Sequence, residues 1–209
     1  MNRRFIAVYD FDDTVYNGNS IVDFWKHAIT RHPHTLMWVP YQIVSAILWK
    51  CKVIPTEKFK EAFLSFIRAI PSSHFNSCIA SFWSRYRRNI PGWVSEQIHR
   101  DRDQSLHPVC ISASPDFLLD GIARDLGFET LICSEFIKNG SIQTNKMKSP
   151  NCKGNEKVRR LKEWARKEDM EVVVKKVYSD SVADLPLYEI AEEKYHVIGG
   201  TLEKGLPKS

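Results

Sequence analysis

Five apolar residues, Phe5-Ile6-Ala7-Val8-Tyr9, run directly into Asp10-Phe11-Asp12-Asp13, and no other stretch constrains the fold of this chain as tightly. A short, continuous apolar run bounded by turn-forming residues is the pattern of a strand buried on both faces, as in a parallel sheet covered by helices. Ending such a strand on three carboxylates within four positions is costly, because like charges repel and each loses hydration when enclosed. Either the carboxylates are solvated in a turn, or a cation offsets their charge and they do chemistry.

After Asn17-Gly18-Asn19 the periodicity becomes helical. Ser20 is expected to cap a helix carrying Ile21, Phe24, Trp25 and Ile29. A second apolar stretch runs from Leu36 to Trp49, and Thr56 opens a third helix with Phe59, Phe63, Phe66 and Ile67 on one face, ended by Pro71. A fourth covers Ser73 to Arg88, and Pro91-Gly92 separates it from a further helical turn around Trp93 and Ile98. From Pro108 short apolar runs alternate with amphipathic helices. Strands are expected at Val109–Ile111, Thr130–Cys133, Val172–Tyr178 and, last, Tyr195–Ile198. Helices are expected at Pro115–Leu126, Gly154–Lys167 and Leu185–Ala191, and Asn139-Gly140 marks a hairpin within Phe136–Lys146. The alternation predicts an α/β fold with a Rossmann-like, mainly parallel sheet. The helical block then forms an inserted cap (residues 19–100) above a core made of residues 1–18 and 101–209.

The chain has 209 residues, 43% apolar and 26% charged, the balance of a globular protein rather than a disordered one. A net charge of +5 suits an anionic ligand, but no Lys/Arg run exceeds two residues, which argues against nucleic acid as a partner. Five cysteines without a CxxC pair indicate neither a zinc site nor a disulfide framework and fit a reducing cytoplasm. Cys110, inside an apolar strand, is expected to be an inert core thiol. As a helix, Leu36–Trp49 would span about 21 Å, short of the roughly 30 Å of a bilayer core, and Pro40 interrupts it. A buried or interfacial helix is the default expectation and a membrane-surface contact stays open. Core packing is expected for Trp38, Tyr41, Trp49 and the cap phenylalanines.

In an open parallel sheet, ligands bind beyond the carboxyl ends of the strands. Those ends deliver Asp10, Asp12 and Asp13, then Ser112-Ala113-Ser114, then Ser179-Asp180 with Asp184 four residues on. The helix opening near Gly154 adds Lys153 and Lys157. Carboxylates, a hydroxyl and an amine on one edge suit phosphoryl transfer. Mg2+ prefers such oxygen donors, a carboxylate can attack phosphorus, a second can act as acid and base, and a hydroxyl with helix N–H groups can bind phosphate oxygens. Ser114-Pro115-Asp116 is also a good helix opening, with Ser114 as the cap.

These residues resemble the haloacid dehalogenase-like superfamily of phosphatases. DxDx[TV] matches Asp10-Phe11-Asp12-Asp13-Thr14, the apolar strand ending in Ser or Thr matches Val109-Cys110-Ile111-Ser112, and the acidic motif matches Asp180 through Asp184. The stretches ISASPDFLLDGIARDLGFE and NCKGNEKVRRLKEW look like the phosphoserine-phosphatase-like subgroup, whose helical cap lies between the first and second motifs. The resemblance implies Asp10 as nucleophile, Asp12 as acid/base and donor of a backbone carbonyl to Mg2+, and Asp180 as a metal ligand supported by Asp184. It also implies Ser112 and Ala113 as phosphate binders. For the lysine, apolar residues four and seven positions on (Leu161, Trp164) favour Lys157 over Lys153. The second aspartate, Asp12, implies phosphomonoester hydrolysis of a small phosphorylated substrate. A lipid phosphate of the phosphatidylglycerophosphate type, or a silent phosphate-binding member, are the alternatives. Phosphoserine specificity is not supported, since Asn19 stands where those enzymes carry glutamate and Ala113-Ser114 where they carry Gly-Gly. Asp13 is left without a role and is expected to point away from the metal.

Overall fold

The computed structural model describes residues 2–207. Strand β1 (Asn2–Tyr9) is followed by helix α1 (Ser20–Arg31), a 3-10 segment (Pro33–Trp38), α2 (Val39–Lys50), α3 (Thr56–Phe63), a second 3-10 segment (Leu64–Ala69), α4 (Ser72–Tyr86) and α5 (Gly92–Asp103). The α/β alternation then runs β2 (His107–Pro115), α6 (Asp116–Leu126), β3 (Thr130–Ser134), a hairpin of β4 (Phe136–Asn139) and β5 (Ile142–Met147), α7 (Asn155–Lys167), β6 (Met170–Ser179), α8 (Leu185–Glu189), β7 (Glu193–Ile198) and β8 (Thr201–Lys204).

The sheet order is β3-β2-β1-β6-β7-β8, parallel throughout except for the last pair. This is the α/β, Rossmann-like sheet that the alternation predicts, and β1 sits inside it as its unbroken apolar run requires. Successive β1 side chains alternate between faces. Ile6 and Val8 join Val109, Ile111, Leu161, Val174 and Leu187 on one side. Ala7 and Tyr9 join Cys110, Leu118 and Tyr178 on the other, and this second cluster continues into the cap through Phe24, Phe66 and Phe82.

Two local expectations are corrected. The expected last strand, Tyr195–Ile198, is followed by β8, which turns back on it through Gly199 and Gly200 at φ 55° and 81°, the left-handed pair that a tight hairpin needs. At Gly200 a Cβ would also lie 2.8 Å from the Asn17 side chain. Asn19, not Ser20, caps α1, accepting from the Val22 N–H at 3.1 Å, because Ser20 is drawn into the site described below. Pro40 divides its segment as expected, leaving Leu36–Trp38 in the 3-10 segment while α2 begins at Val39. It sits in the first turn of α2, where its missing N–H costs nothing.

Helix α5 runs through residue 101, where the boundary between cap and core is expected, and it is bonded to the sheet there. Gln97 Nε2 donates to Tyr178 Oη at 3.0 Å, and the fully buried Asp101 accepts from Lys176 Nζ at 2.8 Å and from Tyr9 Oη at 2.5 Å. The expected hairpin forms, turning at Gly140-Ser141 between the paired Asn139 and Ile142, and it packs beneath the cap, where Asn145 Nδ2 donates to the Glu61 carbonyl at 2.7 Å.

Candidate active site

The carboxyl ends of β1, β2 and β6 lie side by side, so residues more than 160 positions apart meet at one edge. Asp10 follows β1 directly, and its backbone N–H is held by the Tyr178 carbonyl at 2.9 Å. Its Oδ1 accepts from Phe11 N–H at 2.8 Å and meets Lys157 Nζ at 2.8 Å. Both partners use the same oxygen. Lys157 reaches the site from the first turn of α7 and is 2% exposed, and it also donates to Asp184 Oδ2 at 2.7 Å. Lys153 is exposed, and among the described residues it is held through its backbone, donating to the Asn151 carbonyl and accepting from Glu156 N–H. Of the two lysines, Lys157 is therefore the one that reaches Asp10.

The electrostatics follow from this packing. Burial pushes the Asp10 carboxyl up to about 7 even though Lys157 pulls it down. Burial likewise disfavours charge on Lys157, but Asp10 and Asp184 outweigh it and hold the ammonium above its ordinary range. Ser179 Oγ donates to the same Asp184 oxygen at 2.7 Å, so Asp184 anchors the lysine rather than facing the cleft.

Asp12 is bonded separately. Its Oδ1 accepts from Ser20 N–H at 2.6 Å and its Oδ2 from Ser114 Oγ, and the two serine hydroxyls lie 3.0 Å apart. Burial raises the Asp12 carboxyl and these bonds lower it again in part. This corrects the expectation that Ser114 caps α6. Pro115 occupies the cap position without a side-chain bond, while the fully buried Ser114 hydroxyl turns to Asp12. Ser112 is 1% exposed and its Oγ accepts from Ser114 N–H at 3.0 Å, which fixes the loop that holds Ala113. On the β6 side, Thr14 Oγ1 accepts from Asp180 N–H at 2.9 Å and donates to Asp180 Oδ1 at 3.2 Å, tying the first loop to the last motif. Burial raises Asp180 as well. Asp13 is exposed, with φ 55°, a conformation that aspartate tolerates better than most residues. Cys110 is fully buried and its thiol is pushed well up, as an inert core thiol should be.

The donors fit a hard cation. The Asp10 and Asp180 carboxylates and the Asp12 carbonyl offer oxygen donors of the kind Mg2+ takes, and burial disfavours bare charge on both carboxylates. Among the described residues no cluster of three or more His, Cys, Asp or Glu side chains forms an all-protein cage. Two carboxylates with a carbonyl is instead the sparse set with which Mg2+ keeps several of its waters.

One participant has no motif. Lys60, on α3 of the cap, reaches across to the Ala113 carbonyl (2.5 Å) and Asn151 Oδ1 (2.6 Å), while Glu57 Oε1 accepts from Asn151 N–H at 3.3 Å. Burial pushes Lys60 down to about 8, against the pull of Asp12. In the sequence it is one of two lysines in TEKFKEAF, with nothing to single it out.

A family model for haloacid dehalogenase-like hydrolases matches residues 7–189, from β1 into α8. The chain belongs to this family. The likeness extends to solved structures. A Bordetella pertussis Tohama I protein of unknown function aligns with TM-score 0.78 at 18% identity, over 92% of this chain and 89% of its own. A phosphoserine phosphatase in a phospho-aspartyl intermediate analogue state aligns with TM-score 0.59 at 16% identity, over 93% and 86%. A substrate-bound phosphoserine phosphatase aligns with TM-score 0.60 at 16% identity, over 93% and 85%. At these identities the likeness speaks for the hydrolase fold and its helical cap. No curated protein matches the chain.

Proposed function

We propose that this hydrolase cleaves phosphomonoesters with Mg2+ through an aspartyl-phosphate on Asp10. The observation that carries the reading is the separate bonding of the two aspartates at the end of β1. Asp10 is ion-paired through Oδ1, with no hydrogen-bond partner on Oδ2 among the described residues, while Asp12 is held by Ser20 and Ser114. Asp10 Oδ2 attacks phosphorus and the bond to the leaving alkoxide breaks. Asp12, which burial disposes to carry a proton, gives that proton to the alkoxide. Water then attacks the aspartyl-phosphate, Asp12 takes its proton back, and Asp10 is released with inorganic phosphate. Ser112 Oγ and Ala113 N–H are assigned to the phosphate oxygens, and Lys157 to the charge that builds on them. When bound by Asp10, Asp180 and the Asp12 carbonyl, Mg2+ would supply the positive charge that lets a carboxylate approach a phosphate dianion.

The test is hydrolysis of p-nitrophenyl phosphate. Turnover should require Mg2+, stop with EDTA, and fall at least about a thousandfold in Asp10→Asn while the fold is kept. Turnover unchanged in that variant refutes the mechanism and favours a silent phosphate-binding member. One observation favours a lipid-borne phosphomonoester over a freely diffusing one, namely the apolar face that α2 turns to solvent. Comparing phosphatidic acid in mixed micelles with short-chain soluble phosphates distinguishes the two.

A further inference from the structure

Helix α2 is packed inside out. Its buried residues are the polar Gln42 and Ser45, with Gln42 Nε2 donating to the Phe63 carbonyl at 2.7 Å, whereas Ile43, Val44, Ile47 and Leu48 face solvent. Seven large apolar side chains among the described residues are more than half exposed. Six of them (Met37, Tyr41, Ile43, Val44, Ile47 and Val53) fall in α2 or within three residues of its ends. Scattered exposed apolar residues need no explanation, but a contiguous patch of this kind marks an interaction surface. The expectation that Tyr41 and Trp49 pack in the core is therefore corrected, since both are exposed.

The charge around the patch decides what covers it. From residue 24 to residue 56 the chain contains no Asp or Glu, yet it carries Lys26, Arg31, Lys50 and Lys52. Arg31, Lys50 and Lys52 are exposed, and among the described residues none of them has a carboxylate partner. Arg68 joins this rim, with its guanidinium 4.7 Å from the centroid of the Trp38 ring. A second copy docked through the same face would bring a matching cationic rim against this one, and like charges would oppose the pairing. No helix among the described residues is long and apolar enough to cross a membrane, and the 12 residues of α2 span only about 18 Å. An apolar face with a cationic, aromatic border on a helix too short to span is the composition of an interfacial helix.

We infer that the exposed face of α2 docks this hydrolase onto an anionic lipid bilayer, with Ile43, Val44 and Ile47 entering the acyl boundary and Lys50 and Lys52 meeting the headgroups. The docked helix borders the catalytic edge. The Trp49 ring stacks on Phe59 of α3 with centroids 4.7 Å apart, and the next residue, Lys60, reaches the Ala113 carbonyl. The inference is independent of the reaction proposed above, because its readout is binding rather than turnover.

The experiment is flotation of the full chain with vesicles of phosphatidylcholine alone or with one-third phosphatidylglycerol. The anionic vesicles should carry the protein upward, with binding falling steeply as salt rises. Ile43→Asp with Ile47→Asp should abolish flotation while melting temperature and aryl phosphate turnover stay at wild-type values. Lys50→Glu with Lys52→Glu should weaken binding by about 25-fold or more, from roughly fivefold per cation near an anionic surface. Absence of flotation on anionic vesicles overturns the inference, as does equal binding to the zwitterionic ones. A dimer in solution that dissociates in the Ile47→Asp variant also overturns it and assigns the face to a second copy.

Discussion

Replacing Lys157 with methionine removes the buried cation held between Asp10 and Asp184, at 2.8 and 2.7 Å. At an effective dielectric of about 20, each such contact amounts to a gross attraction of about 6 kcal/mol. Desolvation of the ions cancels much of this, and breaking a buried pair by removing one partner costs a net ~3–5 kcal/mol. For a chain of this length that lowers the melting temperature by roughly 6–20 °C. The catalytic effect has a separate origin. Lys157 holds the Asp10 carboxyl down against the effect of burial, so losing the lysine favours the neutral form, which is a poor nucleophile. Losing a preorganised charge at the site costs a further factor of about 10²–10³. The assay is p-nitrophenyl phosphate turnover at saturating Mg2+, run below the melting temperature of each variant. Lys153→Met makes the same charge change at an exposed position and should stay within twofold of wild type. If Lys157→Met keeps turnover within threefold, or if Lys153→Met is the variant that loses it, the assignment of the lysine is wrong.

Further outcomes follow from other contacts. Ser114→Ala removes a buried hydrogen bond to Asp12 and should lower stability by about 1–3 kcal/mol and kcat by roughly tenfold. Ser112→Ala should instead act mainly on KM, and steady-state kinetics of the two variants separate these roles. Asp101→Ala strands Lys176 beside two tyrosines in the core and should cost about 3–5 kcal/mol by urea denaturation. Adding Lys176→Met should recover part of that loss. Arg159 and Arg160 beside Glu156 hold its carboxyl down at about 2. A depressed carboxylate stabilises the fold above its unfolded value near 4.5, and that contribution disappears as pH falls toward 2. Since Arg159 is half-exposed, Glu156→Gln should cost only about 1 kcal/mol at neutral pH. Melting curves of wild type and Glu156→Gln should converge at the acid end.

The order of strands and helices through β7, the helical cap between the first two motifs, the Asn139-Gly140 hairpin signal and the carboxylates at the strand ends were legible in the sequence. Each is written in local periodicity or in a few adjacent residues. Asp10, Asp12, Ser112 and Asp180 fall at the ends of apolar runs, and a parallel sheet brings such ends to one edge whatever lies between them. Three things depended on tertiary structure. Ser114 has the residue type and position of a helix cap, yet its hydroxyl turns to Asp12 because the fold delivers a buried carboxylate there. Lys60 carries no local signal, since only the docking of the cap aims that side chain at the Ala113 loop. The segment Leu36–Trp49 reads as a buried or interfacial helix, with Tyr41 and Trp49 expected in the core, because periodicity states only which residues share a face of a helix. What covers that face is settled by packing partners elsewhere in the chain, and among the described residues Ile43, Val44 and Ile47 are left exposed.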